Sequence, residues 1–268
     1  MSTLSEELRA ARQAALAGGA VLSRYWEQRT FTVASKGRDN PVTSADLEAN
    51  HAIAAVLRSG FPQYGWLSEE TADNRDRLEH DRVWIVDPLD GTKEFIQGVA
   101  EFCVSIGLAD CGVPVLGVIY HPARGELYWA AHEEGCFLAE RRVTVTKTAS
   151  LREATVLASR SETKRGEWLK YGEQLKSVPV GSVAYKLARV AAGFADATFT
   201  CWPKNEWDVA AGAALVEAAG GRVTTLDGRP LRFNRKDVKI SGMIASNGLL
   251  HGQLRDLIAR HRRADDRI

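Results

Sequence analysis

The sequence predicts an α/β protein, α+β overall: helices first, then a meander of mostly antiparallel strands, then an alternating α/β layer. Three observations predict it. Apolar residues recur at helical spacing near the N-terminus, short β-rich runs bounded by turn residues fill the middle, and strand-length and helix-length runs alternate through the second half.

Residues 4–26 carry apolar side chains at helical spacing with alanine between them, and residues 44–57 open on Ser44, whose hydroxyl can cap a first turn. Both read as amphipathic helices. Residues 83–86, 102–109, 113–120, 126–131 and 135–138 read as strands, with Asp110-Cys111-Gly112 and Pro122-Ala123-Arg124-Gly125 as turns. The second half then reads as strand 156–159, helix 164–176, strand 177–180, helix 185–192, strand 195–200 and helix 208–219, the last closed by Gly220-Gly221. Strands at 222–225 and 243–245 and a helix at 249–260 complete the order.

A chain of 268 residues, 45% hydrophobic and 26% charged, can bury one large core or two closely packed halves. We expect the halves to span 1–148 and 149–268 and, with no flexible linker near residues 146–151, to pack as one unit. A net charge of +1 argues against a nucleic-acid binder, and the basic cluster Arg260, His261, Arg262, Arg263 and Arg267 reads as a solvated helix end. Cys103, Cys111, Cys136 and Cys201 form no Cys-x-x-Cys pair, so disulfides are not expected and the location expected is cytoplasmic. No signal-peptide core or run of membrane-spanning length is read, so no membrane partner is expected. The six histidines, His51, His80, His121, His132, His251 and His261, lack zinc spacing.

The chemistry concentrates in Asp87-Pro88-Leu89-Asp90-Gly91-Thr92, which follows the apolar run Val83-Trp84-Ile85-Val86. Pro88 biases Asp87 towards extended backbone and fixes its own φ, so two carboxylates, a turn carbonyl and a hydroxyl are held at a strand end. Hard oxygen donors of this kind suit Mg²⁺. Ser68-Glu69-Glu70 and Trp207-Asp208 add acids at two further element boundaries, and the set points to a two-metal site for phosphoester hydrolysis. Each feature alone has a plainer reading: Glu69-Glu70 as a solvated patch, Asp208 as a helix N-cap, Asp-Pro-x-Asp-Gly as an ordinary turn. After Gly91 and Thr92, Lys93-Glu94-Phe95-Ile96 can start a helical turn whose free N–H groups face an anion. No Gly-x-x-x-x-Gly-Lys-Ser/Thr loop and no Gly-x-Gly-x-x-Gly fingerprint competes for phosphate.

Taken together, the motifs resemble the lithium-sensitive, magnesium-dependent phosphatases of the inositol monophosphatase superfamily along nearly the whole chain. Trp84-Ile85-Val86-Asp87-Pro88-Leu89-Asp90-Gly91-Thr92 corresponds to the first family motif. Trp207-Asp208-Val209-Ala210-Ala211-Gly212, with Glu217-Ala218-Ala219-Gly220-Gly221 behind it, corresponds to the second. Lys36, the segment from Asn40 to Asp46, and Leu67-Ser68-Glu69-Glu70 fall in the family's order. The resemblance implies a layered αβαβα sandwich with the metals between the halves. It implies Glu69, Asp87, Asp90, Asp208 and the Leu89 carbonyl as ligands for two or three Mg²⁺ ions, and Thr92 with Asp46 as the pair that orients and deprotonates the attacking water. It also implies a small phosphorylated substrate and allows a homodimer.

For the substrate, Lys93-Glu94-Phe95 resembles the CysQ-type branch that hydrolyses 3'(2'),5'-bisphosphonucleotides. So does Gly181-Ser182-Val183-Ala184-Tyr185-Lys186, and Ala158-Ser159-Arg160-Ser161 resembles that branch's Ser-Arg-Ser segment. Gly181, Ser182 and Lys186 would then line the substrate pocket with Gly91, Thr92 and Lys93, and Arg160 and Lys186 would neutralise a second phosphate. Lys93 also reads as a surface lysine and Lys186 as a helix-surface charge. Two positions depart from the branches: Glu162 replaces a histidine usual in the nucleotidases, and Cys201 stands where inositol-specific enzymes carry an acid. An inositol monophosphatase or broad sugar phosphatase is the alternative, and a non-catalytic binding protein the more distant one.

Overall fold

Alanine-rich stripes build the first layer. The computed structural model describes residues 4–37, 40–132 and 134–265, the last three by their backbone alone; Arg267 and the side chain of Arg263 lie outside it. Helix α1 (Ser5–Gln28) buries Leu8, Ala11, Ala14, Ala15 and Leu22, one stripe at helical spacing. Two short strands, β1 (Val33–Ser35) and β2 (Pro41–Thr43), pair antiparallel and lead into α2 (Ser44–Gly60). The expected Ser44 cap is corrected to Thr43. Thr43 has extended backbone and accepts from the Ala45 and Asp46 N–H groups, while Asp46 accepts from the Thr43 N–H in return. Ser44 Oγ instead accepts the Thr32 N–H.

A seven-stranded sheet forms the second layer. Its strands are β3 (Gly65–Ser68), β4 (Arg82–Asp90), β5 (Cys103–Asp110), β6 (Val113–His121), β7 (Glu126–Ala131), β8 (Gly135–Leu138) and β9 (Arg141–Val143), adjacent in chain order. β3 runs parallel to β4 and every other pair is antiparallel, the meander expected. Along β4 the side chains alternate: Trp84 and Val86 face α1 and α2, whereas Val83 and Ile85 face the interior of the molecule. Beyond Val86 the strand reaches Asp90 through a register shift between Asp87 and Asp90, where Pro88 has no N–H for the ladder. A short helix, α3 (Thr92–Gln97), follows.

The second half supplies β10 (Thr155–Ser159), α4 (Arg160–Lys164), β11 (Lys176–Val180), α5 (Val183–Ala191), β12 (Ala197–Thr200), β13 (Lys204–Asn205), α6 (Glu206–Ala218), β14 (Arg222–Thr225), β15 (Lys239–Ile240), β16 (Met243–Ser246) and α7 (His251–Asp265). Five strands make the other large sheet, in the order β11-β10-β12-β16-β14. Helices α5 and α6 fill the space between the sheets, and α7 covers the outer face of the second, which completes the αβαβα sandwich. The helix expected over 164–176 is not formed. Trp168, Tyr171 and Leu175 have helical spacing, but Gly166 takes φ +80 and the segment continues as turns that press those three side chains into the outer core.

A pair of glycines sets how closely α6 approaches the first sheet. Gly107 and Gly117 face each other on β5 and β6, and a Cβ at Gly117 would lie 2.2 Å from the Ala211 carbonyl oxygen. The α6 backbone therefore rests on bare strand. Its N-terminal turn comes to lie beside the strand end that carries Asp87 and Asp90.

Candidate active site

Three element ends deliver the acids. Glu69 follows β3 and its N–H donates to the Val86 carbonyl at 3.1 Å, which pins it beside β4. The β4 bulge presents Asp87, whose Oδ1 accepts the Leu89 N–H at 3.0 Å. Asp208 sits in the first turn of α6, capped by Asn205, and its Oδ2 accepts the Asn205 N–H at 2.8 Å. One carboxylate oxygen from each of Glu69, Asp87 and Asp208 lies within 4.8 Å of the others. Burial, then repulsion by Glu69 and Asp90, pushes the Asp87 pKa far above the usual carboxylate range. Burial followed by Asp90 and Glu69 does the same to Asp208.

Asp90 lines the same cavity but is turned towards α5. Its Oδ2 accepts from Ser182 Oγ at 2.7 Å and from the Ala184 N–H at 2.5 Å. Burial raises its pKa against those two hydrogen bonds and the nearby Lys186. Glu69 and Glu70 do not form a solvated patch: Lys36 Nζ donates to Oε1 of each at 2.7 Å, and the Glu70 side chain is 3% exposed. Burial opposes the Lys36 charge, but the two glutamates outweigh it and hold its pKa above the ordinary lysine value. The donor set is all oxygen, without sulfur or imidazole, and its crowded charges call for a hard divalent cation, so the residues fit Mg²⁺.

Beside this cluster, Thr92 Oγ1 lies 3.0 Å from Asp46 Oδ1 and 3.0 Å from the Leu89 carbonyl oxygen. The other oxygen of Asp46 accepts from the Thr43 N–H and Oγ1 at 2.8 and 2.6 Å. Asp46 is almost fully buried, and burial lifts its pKa to about 6 in spite of these bonds. Gly91 allows the chain to turn from β4 into α3: it has φ +99, and a Cβ there would lie 2.6 Å from the Glu101 carbonyl oxygen.

The expected substrate residues are distributed less evenly. A cavity of about 240 Å³ is shared by Asp87, Asp90, Gly91, Thr92, Lys93, Gly181, Ser182 and Lys186. Lys186 is not a helix-surface charge; it is 5% exposed, and its Nζ donates to the Ser182 and Val180 carbonyls at 2.6 and 3.3 Å. Burial lowers its pKa, with Asp90 acting in opposition. Ser182, at φ +57, caps α5 by accepting the Tyr185 N–H at 2.9 Å. Arg160 is engaged by both oxygens of Glu101, at 3.0 and 2.6 Å, and Glu101 also accepts the Gly181 N–H at 2.6 Å. Its charge is therefore matched within the protein.

Sequence reasoning passed over Lys204 and Asn205, which precede the second motif and line the cavity, and over the Glu101 clamp. It also passed over Glu206 and Arg77, both fully buried charged residues. Cys201 lines a separate aromatic cavity of about 400 Å³ with Trp168, Tyr171, Phe199 and Trp202. Among the described residues no helix is long and apolar enough to cross a membrane.

The inositol monophosphatase family model matches residues 3–266. The chain is 35% identical over 257 residues to the inositol-1-monophosphatase of Mesorhizobium japonicum, covering 92% of this chain and 96% of that one. It is 37% identical over 227 residues to the 3'(2'),5'-bisphosphate nucleotidase CysQ of Escherichia coli, covering 82% and 91% respectively. Among solved structures, an IMPase of Thermotoga maritima superposes with a TM-score of 0.82 at 31% identity, over 97% of this chain and 98% of that one. CysQ of Bacteroides thetaiotaomicron gives 0.73 at 32%, over 91% and 97%.

Proposed function

Because the chain belongs to the inositol monophosphatase family of phosphoric monoester hydrolases, we propose that it hydrolyses 3'(2'),5'-bisphosphonucleotides, such as 3'-phosphoadenosine 5'-phosphate, to the 5'-nucleotide and phosphate with Mg²⁺. The observation that carries the substrate is Lys186, a cation buried in the same cavity as Thr92 and Asp90, which Lys93 and Lys204 also line. Positive charge beyond the metal ligands suits a substrate with a second phosphate.

Glu69, Asp87, Asp90, Asp208 and the Leu89 carbonyl would hold the two or three ions, most of them from the 1–148 half and Asp208 from the 149–268 half. Bound there, Mg²⁺ supplies charge neutralisation at the phosphoryl group and acidifies a water. Thr92 Oγ1 would accept a proton from the attacking water as its own passes to Asp46 Oδ1, an acceptor that burial has made more basic than a free carboxylate. Asp46 is kept in line by Thr43. Gly91, Ser182 and the backbone around Gly181 shape the floor on which the ester lies. Li⁺ inhibition, a cytoplasmic location and a homodimer belong to the same reading, and the four free cysteines support a reducing compartment.

A second reading, an inositol monophosphatase or sugar phosphatase, is favoured by the Mesorhizobium relative, which matches more of the chain at nearly the same identity. Phosphate release from 3'-phosphoadenosine 5'-phosphate and from inositol 1-phosphate, each with Mg²⁺ and with Mg²⁺ plus Li⁺, separates the two. Preference for the nucleotide supports the proposal, preference for inositol phosphate transfers the same chemistry to the second reading, and silence on both favours a binding protein.

A further inference from the structure

Two fully buried charged residues take no part in the chemistry above. Glu206 opens α6 two residues before Asp208, and its side chain has no exposed surface. Its Oε2 accepts the Asn234 N–H at 2.6 Å and its Oε1 the Arg235 N–H at 3.0 Å. Asn234, at φ +57, extends the contact into the first half: its Oδ1 accepts from Arg77 Nη1 at 2.7 Å and its Nδ2 donates to the Arg77 and His80 carbonyls at 3.0 and 3.3 Å. The Arg77 guanidinium, also without exposed surface, donates to both oxygens of Asp73 and to the Arg235 carbonyl. Arg77 in turn packs on the start of β3, where a Cβ at Gly65 would lie 3.1 Å from its Cα. β3 ends at Ser68, one residue before Glu69.

We propose that Glu206, Asn234 and Arg77 form a buried polar brace that positions Asp208 against Glu69 and so prepares the carboxylate cluster for its cation. The inference rests on the metal reading of that cluster. Three carboxylates whose oxygens lie within 4.8 Å of one another repel as they ionise, and a stiff surround holds them at that spacing for a cation. The brace supplies stiffness where an apolar contact would not, because its hydrogen-bond geometry admits one arrangement and each broken link leaves a buried polar group unsatisfied. Outer groups that orient metal ligands typically change affinity by 10- to 100-fold when removed. Glu206, Asn234 and Arg77 are positioning residues: none is placed here in contact with substrate.

The test is Mg²⁺ binding by calorimetry at 25 °C on the full chain, together with the melting temperature of each metal-free variant. Asn234→Gly removes the link to Arg77 and keeps the left-handed backbone; Glu206→Gln leaves one of the two N–H groups without its acceptor. Leu254→Ala, on the face of α7 that packs into the outer core and outside the carboxylate cluster, serves as a purely destabilising control. The brace predicts an Mg²⁺ dissociation constant raised about 10-fold in both brace variants and unchanged in the control, even where the control melts lower. If Glu206→Gln does not fold, Asn234→Gly decides alone. Unchanged affinity in the brace variants, or an equal loss in Leu254→Ala, overturns the proposal. A wild-type protein that takes up no Mg²⁺ overturns the metal reading and the brace with it.

Discussion

Thr92 Oγ1 stands 3.0 Å from Asp46 Oδ1, a contact that joins the turn after β4 to the first turn of α2. A threonine hydroxyl is a weak base alone, and the buried carboxylate behind it changes that. Thr92→Ala is expected to lower kcat by about 10²- to 10⁴-fold with little change in KM, and Asp46→Asn to behave alike. Steady-state kinetics decide the point; equal losses in binding and rate would deny Thr92 its role.

The crowding of Glu69, Asp87 and Asp208 has an effect opposite in sign on stability and on activity. Asp87→Asn removes a buried acid that the fold holds at a cost, so the metal-free variant is expected to melt a few degrees higher than wild type, about 2–4 °C for each roughly 1 kcal/mol relieved in a chain of this size. Activity, and the rise in melting temperature on adding Mg²⁺, should both be lost. A metal-free variant that melts lower would show that Asp87 is held by favourable contacts, not strained by its neighbours.

Asp46 also carries a pH dependence. Its pKa stands at about 6 in the folded protein against 3.8 for the ordinary group, so the folded state binds more protons between those values. The stability it contributes is complete below about pH 4 and is lost as the pH rises through about 6, on the order of 2–3 kcal/mol at most. Asp87, Asp90 and Asp208 are raised as well and act in the same direction. Thermal melts of the metal-free protein from pH 5 to 8 should therefore fall with pH while the Mg²⁺-loaded protein changes less. A gap between the two that narrows towards pH 8 would contradict the linkage.

What could be read in the sequence was local. Asp87, Leu89, Asp90 and Thr92 lie within six residues, and Pro88 and Gly91 announce the turn that holds them, so the cluster's centre was visible before any fold. The layers were visible too, since the apolar run of β4 and the alanine stripe of α1 are written in contiguous segments. The helix at 164–176 failed because Trp168, Tyr171 and Leu175 satisfy helical spacing while their partners, Phe199 and the α7 side chains, come from elsewhere. Arg77 and Asn234 meet across 157 residues. Neither carries a local motif, so nothing near either one announces the other. Lys186 was seen but misplaced in one reading: its helical position looked like solvent, and only the packing of α5 between two sheets shows that its ammonium is enclosed.

Under the bisphosphate proposal, substrate choice turns on Lys186. Its Nζ is held by the Ser182 and Val180 carbonyls and lies near Asp90, so it is fixed in the cavity without being neutralised by a direct carboxylate contact. Arg160, the other cation expected to read a second phosphate, is matched by Glu101 and has less charge to offer. Lys186→Met keeps the length of the stem and removes the charge. With 3'-phosphoadenosine 5'-phosphate it should lower kcat/KM by about 10- to 100-fold, the range of one charge-assisted hydrogen bond of roughly 1.5–3 kcal/mol. A nucleoside monophosphate lacking the second phosphate should lose far less. Parallel kinetics on the two substrates with saturating Mg²⁺ isolate the difference, because any general damage to the metal site appears in both. An equal loss on the two would show that Lys186 serves Asp90 and the α5 N-terminus and does not select the bisphosphate.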